Sequence, residues 1–346
     1  MKTKSFVAAL VLAAALPLAT LSLHAATVRI VQTNAAGDSV MLIDPDTNKV
    51  VGEITGIEVN HGAAVAPDGS RFYITNEAES TLDIADAKTL KVTKHIPLTH
   101  HPNNVAVSKD GKRVYVAIVG GPGAVDVIDT ASLTRVKSIR TEGGIHNTYV
   151  TPDGKFVLAG SIIGKKINVI DQKTEEIVWT LPMEEGVRPM AFETNPDGST
   201  KRIFVELSNF NGFVTVDFAS RKVVDKIPMP EVAASEKTTV GLQGSPCHGL
   251  AVTPDGKTLT VLSKMNSRVY FVSLPDLKIV GETKVGHHPD WITLTPDGKY
   301  AYISLAGANS VAVLDIKAVK VVTEIKTGGQ VPKRNATIVM SQDGTR

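Results

Sequence analysis

Histidines are the side chains whose placement in this sequence could do chemistry. Seven residues before the aspartate of a recurring Pro-Asp-Gly-like turn stand His61, Asn103, His146, Met190, His248, Asp290 and Ala336. Nine before it stand Val59, His101, Gly144, Arg188, Pro246, His288 and Arg334. Five of the nine histidines fall on these two sets, His100 and His287 adjoin them, and His24 and His95 lie elsewhere, so chance placement explains them poorly. Neutral imidazoles brought together from distant parts of a chain can share a copper or zinc ion. His61, His146 and His248 form the sharpest shared-ligand set, while His101 and His288 could bind a second ion or hydrogen-bond a metal-bound water. Asp290 could orient a ring, accept a proton or cap a strand. Copper is the expected metal, since the set is rich in imidazole; zinc and a noncovalent heme stay open, because one axial histidine needs no short motif. The sequence has no CxxCH motif, so covalent c-type heme is not indicated.

Other residues around the same positions have two readings each. Arg188 and Arg334, with Lys333 nearby, could clamp a carboxylate or phosphate of a cofactor or small ligand, or could pair with Glu58, Glu142, Glu184 or Glu185. Cys247 could add a soft ligand or be a buried, inert thiol. Trp291, Tyr149 and Phe210 could line a pocket or fill space between structural units. Ser245 lies near His248 in sequence, yet no nucleophile elbow or acid accompanies them, so a hydrolase triad is not indicated.

The scaffold that must position these residues is written as a repeat. The turn aspartate recurs at Asp68, Asp110, Asp153, Asp197, Asp255, Asp297 and Asp343, at spacings of 42, 43, 44, 58, 42 and 46 residues. That period fits four short strands and their turns. A strand rich in β-branched and aromatic residues follows each of the first six turns, as in Val114-Tyr115-Val116 or Ala301-Tyr302-Ile303. A second runs into an acidic turn, as in Val125-Asp126-Val127-Ile128-Asp129; a third follows, and the apolar strand before the next turn completes four. The expected fold class is all-β: a seven-bladed β-propeller with four-stranded blades. Its last blade combines Thr337 to Met340 with three strands from the other end of the chain, Val28 to Val31, Val40 to Ile43 and Val50 to Ile54, which removes exposed sheet edges. The long fourth spacing places a loop at Pro228 to Ser245 near the start of blade five. Since the innermost strand leads into the Pro-Asp-Gly turn, the histidine positions enter the tunnel at the opposite, upper face. The turn aspartates read as structural, bonding to nearby backbone amides. Tyr115 and Tyr302 read as packing between blades.

Tyr73-Ile74-Thr75-Asn76 after Pro67-Asp68-Gly69, with the same frame recurring over roughly residues 27 to 344, resembles the YVTN family of β-propellers within the surface-layer and lactonase-like propeller superfamily. The resemblance implies architecture; such propellers include lactone-cleaving enzymes, lyases and binding proteins, and related rings carry heme d1 or copper clusters.

Lys2 and Lys4 precede an Ala- and Leu-rich run from Ser5 to Leu23, as in a secretory signal peptide ending near Ala25 or Ala26. The expected division is a signal segment, 1–26, and one propeller, 27–346, working in the periplasm or outside the cell with no membrane span after cleavage. Removal of the two lysines leaves 35 basic and 35 acidic side chains, which does not indicate a nucleic-acid partner. With Cys247 the sole cysteine, no internal disulfide forms. The leading functional expectation is a metal-binding propeller, with oxidation more plausible than hydrolysis if it turns over substrate. The alternative is a non-enzymatic propeller that binds a small molecule, a heme or a periplasmic protein partner.

Overall fold

The structure, a computed structural model, describes residues 27–340; the expected signal segment and the degenerate turn Gln342-Asp343-Gly344 lie outside the described residues. Seven four-stranded antiparallel sheets make up the fold. The inner strands of blades one to seven are Asn60–Val65, Pro102–Val107, Ile145–Val150, Val187–Thr194, Cys247–Val252, Pro289–Leu294 and Pro332–Met340. Each touches the inner strand of the next blade, and that of blade seven returns to that of blade one, so the ring closes.

Closure joins the two ends of the chain. In blade seven the inner strand Pro332–Met340 pairs with Thr27–Asn34, followed outward by Val40–Asp44 and Lys49–Ile54. The first ladder runs from Thr27 opposite Met340 to Asn34 opposite Pro332.

The middle two strands of each blade are nearly all buried because both faces meet a neighbouring blade. Ile30 and Ile43 of blade seven pack with Tyr302, Val311 and Val313 of blade six, while Val31, Val40 and Leu42 pack with Phe72 and Ile74 of blade one. Burying such side chains stabilises by about 1.5–3 kcal/mol each. Tyr115 and Tyr302 are fully buried, and the Tyr302 hydroxyl donates to Asn48 Oδ1 of blade seven at 2.6 Å, as expected for residues that join blades. The outer strands alternate, leaving Val136, Val178 and Val224 exposed. Lysines on these edges, as in Lys222–Pro228 and Lys320–Lys326, discourage pairing with another sheet.

The Pro-Asp-Gly-like turns are structural. Their aspartate Oδ1 atoms accept backbone N–H groups two residues on, from Ser70 at 2.9 Å, Lys112 at 3.1 Å and Lys299 at 3.0 Å for example. The following glycines take φ between 68° and 82° from Gly69 to Gly298, a left-handed conformation that glycine adopts without strain. After the strand Lys222–Pro228, the stretch up to Pro246 is a loop with one short 3-10 turn, Ala234–Glu236. It is pinned to the upper rim, where Thr238 N–H donates to the Met265 carbonyl at 2.7 Å and Asn209 N–H to the Gly244 carbonyl at 2.9 Å.

Candidate functional site

Each inner strand begins with a residue paired to its neighbour and then skips a step in the ladder: Asn60, Pro102, Ile145, Val187, Cys247, Pro289 and Pro332 are the paired residues before the seven irregularities. The residue immediately after each is therefore structurally equivalent around the tunnel mouth. Those residues are His61, Asn103, His146, Arg188, His248, Asp290 and Lys333. Every blade contributes a polar or charged side chain to one ring. Two of the residues expected there are displaced: Met190 and Ala336 lie deeper, and Arg188 and Lys333 replace them. The inner strand of blade four is 8 residues long and that of blade seven 9, against 6 in the other blades, which offsets a count taken back from the turn.

The histidines of the ring have distinct partners. His61 Nδ1 is bonded to Glu77, whose other oxygen lies 3.2 Å from His101 Nε2. Burial drives the His61 imidazole down to about 4, against the opposing influence of Glu77. His248 is 3% exposed, and its Nδ1 lies 2.6 Å from the Asp290 carbonyl oxygen. A carbonyl can only accept, so Nδ1 carries the hydrogen; burial holds the ring neutral, which leaves the lone pair on Nε2. Nε2 has no hydrogen-bond partner among the described residues. His146 meets His248 edge-on with ring centroids 5.6 Å apart, and its Nδ1 is buried without a partner. His101 and His288 stand one residue before the inner strands, outside the ring. His288 is bonded to the Val240 carbonyl of the rim loop at 2.9 Å.

This arrangement does not support the shared copper or zinc centre. Among the described residues, no group of three or more His, Cys, Asp or Glu side chains is placed to hold a metal ion. His61 is turned to Glu77, whereas His248 is held on the Asp290 carbonyl and meets His146 edge-on, so the three rings do not converge on one ion. Cys247 is fully buried, with Sγ 3.2 Å from Asn211 Oδ1, and burial raises its thiol well above the ordinary range. It fits the inert reading.

Charges in the mouth are unevenly matched. Asp290 is fully buried between Lys264 Nζ at 2.7 Å and Lys333 Nζ at 3.1 Å, and these cations overcome desolvation to hold its carboxyl well below the usual range. Arg188 instead binds neutral oxygens, Ser208 Oγ at 2.9 Å and the Gln243 carbonyl at 2.8 Å. Three of the four acids expected to neutralise the arginines pair with lysines instead: Glu184 with Lys226, Glu185 with Lys165 and Glu142 with Lys166. Beneath the ring, Trp291, Tyr149 and Arg334 line a central cavity of about 470 Å³, whereas Phe210 lies under Lys226 on the outside.

Three functional neighbours escaped the sequence reading: Glu77, Lys264 and Glu206. The strand ladders place Glu206 level with Thr75, Ala117, Gly160, Leu262 and Ser304 of the other blades. A carboxylate among such residues was the available signal. Glu206 is fully buried; its Oε2 accepts Gly249 N–H at 2.7 Å and its Oε1 has no partner. Burial pushes its carboxyl well above the usual range.

His61 and Glu206 have opposite consequences for stability. Below pH 6.5 the unfolded His61 takes a proton that the folded ring refuses, so stability is lost as the pH falls from 6.5 towards 4, by about 3 kcal/mol. Glu206 ionises more readily when unfolded, so its contribution is lost as the pH rises above the ordinary carboxyl value. Urea unfolding across this range is expected to show a shallower acid decline for His61→Gln. Glu206→Gln is expected to be more stable than wild type near neutrality and similar in acid; parallel curves for all three proteins would contradict both assignments.

Comparison with known proteins bears on this site. Residues 27–153 match the family described as "Cytochrome D1 heme domain". The chain is 28% identical over 230 residues to hydrazine synthase subunit beta of Kuenenia stuttgartiensis, covering 55% of this chain and 58% of that protein. A solved hydrazine synthase chain from the same organism superposes with a TM-score of 0.71 at 25% identity, over 83% of this chain and 92% of that one. The Pseudomonas aeruginosa periplasmic gluconolactonase PpgL has a TM-score of 0.70 at 16% identity, over 91% and 100% of the two chains. Dihydro-heme d1 dehydrogenase NirN, in complex with DHE, has a TM-score of 0.60 at 16% identity, over 89% and 74%. The last two likenesses show the fold alone. The matching family profile differs from the YVTN resemblance, which rests on the repeat frame.

Proposed function

We propose that this chain is an exported propeller that binds heme at its upper mouth, where His248 Nε2 would hold the iron. The observation that carries the reading is the His248 ring itself: it is neutral, its Nδ1–H is fixed on the Asp290 carbonyl, and its Nε2 is free among the described residues. A hydrogen bond to the far nitrogen fixes the tautomer and orientation of an imidazole that ligates iron. Arg188, whose hydrogen-bond partners are neutral, supplies positive charge for a heme carboxylate. The match of residues 27–153 to a heme-domain family supports the same cofactor class. Bound heme would supply an iron centre capable of electron transfer.

Two further features belong to this reading. The curated relative is named as a subunit, which supports a protein partner for this chain. The N-terminal signal-like segment and a relative named periplasmic support work in the periplasm; among the described residues, no helix is long and apolar enough to cross a membrane.

The test is hemin titration of the mature protein prepared without a histidine tag. Saturable binding at one equivalent, with a shifted Soret band, is expected. His248→Ala should weaken binding at least about tenfold and added imidazole should restore the band, because one coordinate bond is lost while the fold is retained. Absence of a stoichiometric Soret shift, or identical spectra and affinity for His248→Ala, would overturn the proposal.

A further inference from the structure

Arg334 is a buried cation whose protein partners do not satisfy it. It follows the mouth ring by one residue, so its side chain lies one step deeper in the tunnel, where it is 3% exposed. Its Nη2 donates to Asn103 Oδ1 of blade two at 2.6 Å, and its guanidinium stacks on Trp291 of blade six, 4.5 Å from the ring centroid. Nε and Nη1 are buried with no hydrogen-bond partner, and no carboxylate pairs with Arg334 among the described residues. Desolvation lowers the guanidinium to about 10, so it remains charged near neutrality. A buried charge without a counterion is costly, and such a cost is commonly retained where a ligand supplies the missing charge.

The space beside it has the character of a binding site. Arg334 lines the central cavity of about 470 Å³, within the range of small-molecule pockets. Tyr149, Phe192 and Trp291 give it aromatic walls, and Val105 and Val150 add apolar surface. Tyr149 Oη accepts the Met190 N–H at 3.2 Å, while its own hydrogen has no acceptor among the described residues. Burial raises this hydroxyl to about 12, so it stays a donor. A fixed cation, a phenol donor and flat apolar walls together suit one anionic head on a planar apolar body.

We propose that the central cavity beneath the mouth binds a small aromatic monocarboxylate, its carboxylate held by Arg334 and its ring set against Trp291 and Phe192. This site adjoins the His248 mouth, since the His248 and Trp291 ring centroids lie 5.8 Å apart, but it does not depend on heme. Phosphate matches it less well, because a compact, strongly hydrated dianion gains nothing from the aromatic walls.

Benzoate is the probe, with acetate and inorganic phosphate as comparisons, each titrated into the full mature chain by calorimetry and tryptophan fluorescence. Saturable benzoate binding is expected, at least about tenfold tighter than either comparison. Arg334→Gln should weaken it at least about tenfold. Because that change also removes the link to Asn103, Ala336→Met provides a second variant that fills the cavity without touching the guanidinium, and it should weaken benzoate similarly with an unchanged melting temperature. Arg188→Gln, at a mouth residue whose partners Ser208 and Gln243 do not line the cavity, should leave benzoate affinity within about twofold, which separates this site from the heme site. No saturable benzoate binding, equal affinity in Ala336→Met, or tighter binding of phosphate would each overturn the proposal.

Discussion

Removal of the strand Thr27–Asn34 is expected to abolish cooperative folding of the whole ring, although only 8 residues are lost. This strand bonds on one side to Pro332–Met340 and on the other to Val40–Asp44, so without it the inner strand of blade seven has no partner in its own sheet. Ile30 and Val31 also sit in two different interblade clusters, one facing blade six and the other blade one. The loss therefore opens both joints beside the gap and exposes strand edges that closure had covered. A milder version is Ile30→Asp, which places an unpaired charge at a fully buried position and is expected to cost about 4 kcal/mol or more. Val178→Asp on an exposed outer strand should stay within about 0.5 kcal/mol of wild type. Urea unfolding and size exclusion check all three; a cooperative transition of the truncated chain at the wild-type midpoint would show that closure is dispensable.

Asp290→Asn is expected to destabilise the protein by about 3–5 kcal/mol despite its near-identical shape. Asparagine keeps the backbone carbonyl that holds His248, but it removes the negative charge shared by Lys264 and Lys333. Lys264 is 3% exposed, so its ammonium has little water to fall back on. The cost comes from the orphaned cations rather than from the lost carboxylate, which makes the effect separable. Adding Lys264→Met to Asp290→Asn should recover a large part of the stability, whereas Lys264→Met alone should cost less because Lys333 still neutralises Asp290. Thermal and urea unfolding of the single and double variants complete the cycle. An Asp290→Asn protein within about 1 kcal/mol of wild type would mean that solvent reaches these charges freely.

Both results bear on how the mouth works. Asp290 neutralises two lysines with its carboxylate and fixes the His248 tautomer with its backbone carbonyl. The sequence reading left it free to orient a ring, accept a proton or cap a strand. It could not single out the backbone carbonyl as the atom that meets His248, because a backbone acceptor leaves no mark on residue type. Arg334 shows the same limit. Its charge near the tunnel was readable, whereas its missing partner emerged only when Glu142, Glu184 and Glu185 were found on other lysines.

The sequence by itself determined the seven repeats, the four-strand period, the structural turn aspartates, the loop in the long repeat and the shared blade at the chain ends. These follow from local rules: turn chemistry marks each repeat, β-branched and aromatic runs mark strands, and the leftover strands at the two ends complement one another. It also gathered His61, His146 and His248 at one face, since equivalent positions in a ring must point to one axis. The tertiary structure decided which residues complete that ring and what each one touches. Spacing counted along the chain from the turn assigned Met190 and Ala336, but the ladder places Arg188 and Lys333 there, because the inner strands of those two blades run to 8 and 9 residues against 6 in the others. Glu206 lies in the second strand of its blade, and Glu77 and Lys264 in the turns that follow theirs, so all three reach the mouth from outside the counted segments. Hydrogen-bond partners are chosen by distance across blades, which residue spacing within one repeat does not encode; hence the imidazoles were foreseeable as a group, and their separation into different partnerships was not.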